Sequence, residues 1–145
     1  MNELRARAVK LLARREHSRA ELARKLAALG TRAEIDAVLT DLSETGILSD
    51  ARYAAAYVRT HAERFGAARL RQVLRQKGIA NELVEAQLAG NPDTPDELAR
   101  ARAVWTKKFS AAPDSAREWA RQARFLQSRG FATDIIRKLL KEPQE

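Results

Sequence analysis

The sequence predicts an all-α protein made of three tandem three-helix repeats, and three observations carry that prediction. The 145-residue chain holds only 6 Gly and 4 Pro, and it is dominated by Ala, Leu, Arg and Glu, residues with high intrinsic helix propensity. Apolar residues recur at helical spacing in about nine separate stretches. Three of those stretches stop at Gly30, Gly78 and Gly130, which lie 48 and 52 residues apart. Superposing these glycines aligns Leu26, Leu74 and Leu126 four residues before them. It also aligns an acid four residues after (Glu34, Glu82 or Asp134) and Ile35, Leu83 or Ile135 five after. Self-similarity at a fixed period marks a repeat architecture. The expected boundaries are 1–48, 49–92 and 93–145. Units stacked in this way form an elongated array, able to curve, in which each packs mainly on its neighbour.

Each element follows from its local sequence. The first helix covers roughly Asn2 to Arg14, with Leu4, Ala8, Leu11 and Leu12 on one face and Arg7, Lys10 and Arg14 on another. In "HSRAELARKLAALG", Ser18 and Glu21 form a capping box, Leu22, Leu26 and Leu29 form the inner face, and Gly30 is the expected left-handed stop. The third helix, Arg32 to Glu44, spaces Ile35, Val38, Leu39 and Leu42 along one stripe and ends at Gly46. The fourth begins after Ser49, carries Tyr53 and Tyr57, and runs through Val58 towards Phe65. The fifth occupies Gly66 to Gly78. Asn81 is the expected N-cap of the sixth, which leads to the linker-like "GNPDTPDE". There Thr94, Pro95 and Glu97 read as N-cap, first-turn proline and capping partner of the seventh helix, which ends near Phe109. Ser115 and Glu118 cap the eighth, which stops at Gly130, and a ninth spans about Thr133 to Lys141.

Charge is the second theme. The chain has 27 Lys and Arg against 19 Asp and Glu, a formal net charge of +8, which attracts polyanions or an acidic protein surface. The excess concentrates in "RFGAARLRQVLRQKG", where Arg64, Arg69, Arg71, Arg75 and Lys77 occur without an acid. On a helical wheel Leu70, Val73 and Leu74 face the core, while Arg71 and Arg75 project together from the opposite side, with Arg69 and Lys77 nearer the core edge. Two readings stand side by side: a face presented to an external anion or carboxylate, or a solvated helix paired with acids from other helices. In the eighth helix Arg117, Arg121 and Arg124 form a comparable stripe, partly compensated by Asp114 and Glu118. Trp119 and Phe125 lie on or beside the apolar arc, as core aromatics do.

Several function classes find no support. The chain has no Cys and two separated histidines, His17 and His61, which excludes disulfides and thiolate metal sites and leaves no zinc-ligand spacing. It has no glycine-rich phosphate loop and no plausible Ser, His and Asp constellation. The expectation is a binding protein, not an enzyme, with no cofactor. No apolar run approaches the ~20 residues of a membrane span, and the first residues, "MNELRARAVKLLARREHS", are charged throughout instead of carrying a signal-peptide core. A soluble, cytoplasmic protein is expected.

The segments "LLARREHSRAELARKL", "DARYAAAYVRTHAERFGAARLRQVLRQKGI" and "RFLQSRGF" together resemble the bacterial RecX proteins, regulators of the RecA recombinase. They occur in the family's order, and the resemblance covers nearly the whole chain. One departure is visible: the family often places Gly-Pro before the basic helix, whereas this chain has Gly66 and Ala67. The resemblance implies an all-α array of three-helix repeats that binds RecA, lies along the groove of its filament on DNA, and restrains its recombinase, ATPase and coprotease activities. It implies that the helix at 66–78 meets acidic RecA surface, filament DNA phosphates, or both. The residues matching the family pattern there are Arg69, Arg71, Lys77 and Gly78. In the last repeat they are Arg124, Phe125, Leu126, Arg129, Gly130 and Phe131, of which Phe125, Leu126, Gly130 and Phe131 suit a structural role. The expected partner-binding set is Arg69, Arg71, Arg75, Lys77, Arg117, Arg121 and Arg124. Single- or double-stranded DNA is a further expected partner through the basic surface, a membrane is not, and the state is a monomer. The rival reading is a direct DNA-binding protein with helix-turn-helix-like units.

Overall fold

The computed structural model describes residues 2–89 and 96–141, and among them every regular element is a helix. In chain order these are α1 (Asn2–Arg14), α2 (Arg19–Leu26), α3 (Arg32–Glu44), α4 (Asp50–His61), α5 (Ala67–Gln76), α6 (Asn81–Leu88), α7 (Glu97–Lys108), α8 (Ala116–Ser128) and α9 (Thr133–Leu140). None of them is long and apolar enough to cross a membrane. The helices divide into two compact units, residues 1–57 with 74–87, and residues 58–73 with 88–145.

In the first unit α1, α2 and α3 pack on one another through Leu4, Ala8, Leu22, Leu26, Ile35, Val38, Leu39, Leu42 and Leu48, all buried. α2 can begin where it does because two side chains take its first amides. Ser18 Oγ accepts from the Glu21 amide at 3.1 Å, and Asp50 Oδ1 accepts from the Arg19 amide at 2.8 Å. The reciprocal half of the expected capping box is absent: Glu21 turns instead to Arg15, at 2.8 Å. Leu29 is 57% exposed rather than on an inner face, because α2 ends at Leu26 and helical spacing no longer governs the next turn. Gly30 is not left-handed either. Among the described glycines, positive φ belongs to Gly46, Gly78 and Gly130. α3 starts instead on a complete capping box, the Thr31 hydroxyl on the Glu34 amide and the Glu34 carboxylate on the Thr31 amide. Such caps contribute about 1 kcal/mol.

Asn81 is the first residue of α6 rather than its expected N-cap, and its side-chain oxygen accepts from Arg75 Nε at 3.1 Å. The turn before α6 is closed by Gly78 at φ 82, where a Cβ would stand 2.6 Å from the Ala20 Cβ.

The second unit is built on Ala101, Val104, Leu126, Phe131, Ile136 and Leu140, with Trp105, Trp119 and Phe125 packed at its edge. Buried Gln122 joins its helices, accepting from Trp105 Nε1 at 2.7 Å and donating to the Ala111 carbonyl and to Glu118 at 3.1 Å each. α7 opens at Glu97 with Asp96 as N-cap, its carboxylate on the Ala99 amide at 2.8 Å. The expected cap at Thr94 and Pro95 lies outside the described residues. Lys141, at φ 63, ends α9 one residue before the expected terminus.

Candidate partner-binding surfaces

The basic helix α5 has no acid in its own first turn and no capping side chain before it. A helix N-terminus left so would carry orphan donors and uncompensated positive dipole. The second unit supplies what α5 lacks. Glu97 Oε1 accepts from the Ala67 amide at 3.0 Å, and the carbonyls of Arg129 and Gly130 accept from the Gly66 and Ala68 amides at 2.8 and 3.1 Å. Three residues on from Glu97, Arg100 donates to the carbonyls of Ala62 and Phe65 at 3.0 and 3.3 Å, closing the end of α4. Burial pulls the Arg100 guanidinium below its ordinary pKa. The Gly66–Ala67 departure now has a physical account. Proline at position 67 would have no amide hydrogen for Glu97.

Within the second unit Arg69 is exposed, lies 4.1 Å over the Phe65 ring and donates to the Ser128 carbonyl at 3.4 Å. Arg71 is half-buried and engaged within the molecule, so it projects less freely than the helical wheel expects. In the first unit Arg75 is exposed but held by Asn81, and Lys77 is half-buried. Leu70 and Leu74 are fully buried, as the wheel requires.

The α8 stripe keeps its expected exposure at Arg117, Arg121 and Arg124. Arg121 is gripped by Glu118, Nε and Nη2 donating at 2.9 and 2.7 Å, and lies 5.1 Å from the Phe109 ring centroid. These hydrogen bonds from Arg121, joined by Gln122, hold the Glu118 carboxyl down at about 2. Glu118 is therefore spent within the molecule instead of completing a capping box with Ser115, whose hydroxyl still takes the Glu118 amide at 3.1 Å. Arg117 and Arg124 flank this neutralised centre. Leu126 and Phe131 are buried and Gly130 sits at φ 92, as a structural role requires, whereas Phe125, read with them as structural, is only half-buried and packs at the core's edge.

Sequence reasoning missed a second gathering of cations. Arg64, Lys107, Lys108 and Arg129 come together around Phe125, lining a cavity of about 380 Å³ in the second unit. Their separation along the chain hides this. Lys107 and Lys108, read alone, are ordinary cations in the last turn of a helix.

The fold and these surfaces define a class: an all-α tandem of three-helix domains with arginines displayed on its helices. The family models for the first, second and third three-helix domains of RecX match residues 5–42, 49–88 and 95–140. The chain belongs to the RecX family. The regulatory protein RecX of Leptothrix cholodnii is 53% identical over 139 residues, covering 95% of this chain and 87% of its own. That of Chromobacterium violaceum is 42% identical over 138 residues, covering 94% and 88%. The crystal structure of RecX from Lactobacillus salivarius shares the fold with a TM-score of 0.82, over 97% of this chain and 94% of that one, at 23% identity.

Proposed function

We propose that the protein binds the RecA filament on DNA and restrains its recombinase, ATPase and coprotease activities, acting as a cytoplasmic monomer without catalysis or cofactor of its own. One observation carries the reading: all three family domains match in order, alongside relatives named as regulatory proteins over more than nine-tenths of the chain. The net charge of +8 supports it, since a filament is a polyanion. Arg69, Arg75, Arg117, Arg121 and Arg124 are exposed for contact, and Arg71 and Lys77 back them from half-buried positions. A body of stiff helices that touches two neighbouring protomers of a filament resists their relative movement, and with it the cycle that hydrolysis drives.

The test is ATP hydrolysis by the cognate RecA on single-stranded DNA, titrated with this protein and compared with its binding to the same DNA alone. Inhibition at concentrations well below those that occupy bare DNA supports action on the filament. Inhibition only at DNA-saturating concentrations would make it a direct DNA-binding protein. Reversal of two exposed charges, Arg117→Glu with Arg124→Glu, is expected to weaken inhibition roughly tenfold, as charge juxtaposition at an interface does, with the melting temperature unchanged.

A further inference from the structure

The cavity in the second unit is lined by Phe125 and Val104, with charged side chains forming its rim. Phe125 is half-buried and fixed by Phe109, whose ring meets it edge-on at 89° with centroids 5.4 Å apart. Arg129 Cζ and Lys108 Nζ lie 5.1 and 5.7 Å from the Phe125 centroid, and Arg64, Lys107 and Glu63 complete the rim.

The rim residues stand at three helix ends. Arg64 and Glu63 follow the end of α4, Lys107 and Lys108 close α7, and Arg129 is the C-cap of α8. Each end contributes roughly half a negative charge. Four cations, one carboxylate and three such ends leave a net of about +1.5. That suits an anionic ligand. It must also offer a flat face to Phe125 and a donor to Glu63. A run of acidic residues supplies charge but no flat face for Phe125, whereas a nucleotide combines a π-face, a phosphodiester charge and, on cytosine, adenine or guanine, an amino group for Glu63.

We propose that this cavity binds one nucleotide of a single-stranded nucleic acid. The base stacks on Phe125, the Arg129 guanidinium slides from that ring onto the outer face of the base, Lys107, Lys108 and Arg64 take the flanking phosphates, and Glu63 accepts from a base amino group. Aromatic stacking joined to a cationic track is the general chemistry of single-strand binding. A base paired within a duplex offers no free face and is excluded. The inference rests on the second unit alone and does not depend on the RecA reading.

The experiment uses the full chain without RecA: fluorescence anisotropy of a labelled 15-mer of deoxycytidine at several salt concentrations, with crosslinking of a photoreactive pyrimidine in the same 15-mer mapped by mass spectrometry. Lys107→Glu with Lys108→Glu, both exposed, is expected to lower affinity at least tenfold and to flatten the salt dependence by about 0.7 for each phosphate that is no longer neutralised. Phe125→Leu, which retains apolar bulk, is expected to cost about fivefold or more by loss of stacking. Crosslinks should fall within 63–64, 104–108 or 125–129. If Phe125→Leu fails to fold by circular dichroism, the lysine pair and the crosslink map decide. Unchanged affinity in the lysine variant, crosslinks elsewhere, equal binding of duplex, or competition by free ATP as strong as by the oligonucleotide would each overturn the proposal. Stronger competition by oligoglutamate would do the same and assign the cavity to an acidic peptide. None of these outcomes bears on whether RecA is inhibited.

Discussion

The turn after α2 and the turn after α8 hold equivalent places in the repeat, each with a glycine four residues beyond a fully buried leucine, and they are held by opposite means. At Gly130 the backbone does the work. Its φ of 92 lets the Gly130 and Phe131 amides close onto the carbonyls of Gln127 and Leu126 at 2.9 and 3.2 Å. A Cβ there would stand 2.3 Å from the Arg69 Cβ and 2.7 Å from the Arg69 amide nitrogen. At Gly30 φ is outside the left-handed region, the nearest neighbour is a Leu4 methyl, and the next helix begins on the Thr31 and Glu34 side chains. A shared sequence signal thus marks where the chain turns. The partner packed against the turn decides whether glycine is compulsory.

Substitution is the direct way to break that comparison. Gly130→Ala combines a left-handed φ with a backbone collision and is expected to cost at least about 3 kcal/mol, seen as a large drop in the thermal midpoint of the chain. Gly78→Ala meets a positive φ of 82 but only the Ala20 methyl. It should cost about 1–3 kcal/mol, part of it recovered when Ala20→Gly is added. If Gly130→Ala proved as mild as Gly78→Ala, the close approach at Arg69 would not be what holds the α8 turn.

The first unit also carries a titrating contact next to its α2 cap. His17 is 2% exposed. Its Nδ1 faces the Arg15 carbonyl at 3.0 Å and so donates, which leaves Nε2 to accept from Lys25 Nζ at 3.0 Å. Burial lowers the His17 pKa. The charges of Arg15 and Lys25 add to this, while the Arg15 carbonyl hydrogen bond and the Glu21 charge oppose it. Because the folded pKa lies below the unfolded one, the unfolded chain binds more protons in that window, so stability rises with pH there. The contribution is complete above the unfolded value near 6.5 and is lost as pH falls towards the depressed folded value. Melting at pH 7.5 and 5.5 should therefore show a loss at the lower pH, and His17→Gln should shrink it. An unchanged pH difference in that variant would remove His17 from the account.

The smallest effects should come from the α2 turn itself. Thr31→Ala removes the capping box and is expected to cost about 1 kcal/mol. Gly30→Ala displaces only a side-chain methyl and should stay within about 1 kcal/mol of neutral. Together they make the expected order at this turn the reverse of that at the α8 turn, with the cap mattering more than the glycine.

These contrasts also explain what was legible in the sequence. Helix extents were, because apolar spacing and punctuation are local: the α3 stripe and the α8 start at Ser115 fall where the pattern put them. Leu29 was misread because periodicity was carried past the last turn of a helix. The half-burial of Arg71 was not legible, because a helical wheel does not show how far neighbouring elements cover a side chain. Glu97 and Arg100 were invisible as a pair. Each looks like ordinary helix chemistry until folding brings 97 to 67 and 100 to 62.

That pair has a consequence for dissecting the protein. The first turn of α5 lies about thirty residues before Glu97 and some sixty before the Arg129 and Gly130 carbonyls that complete it. A fragment stopping at residue 92 would keep the sequence of the second repeat but lose every one of these partners. Its residues 62 to 70 should exchange their amide hydrogens rapidly, and proteases should cut there first. Cooperativity therefore follows the hydrogen bonds rather than the repeat, and a shortened protein that binds nothing could have lost its fold instead of its binding surface.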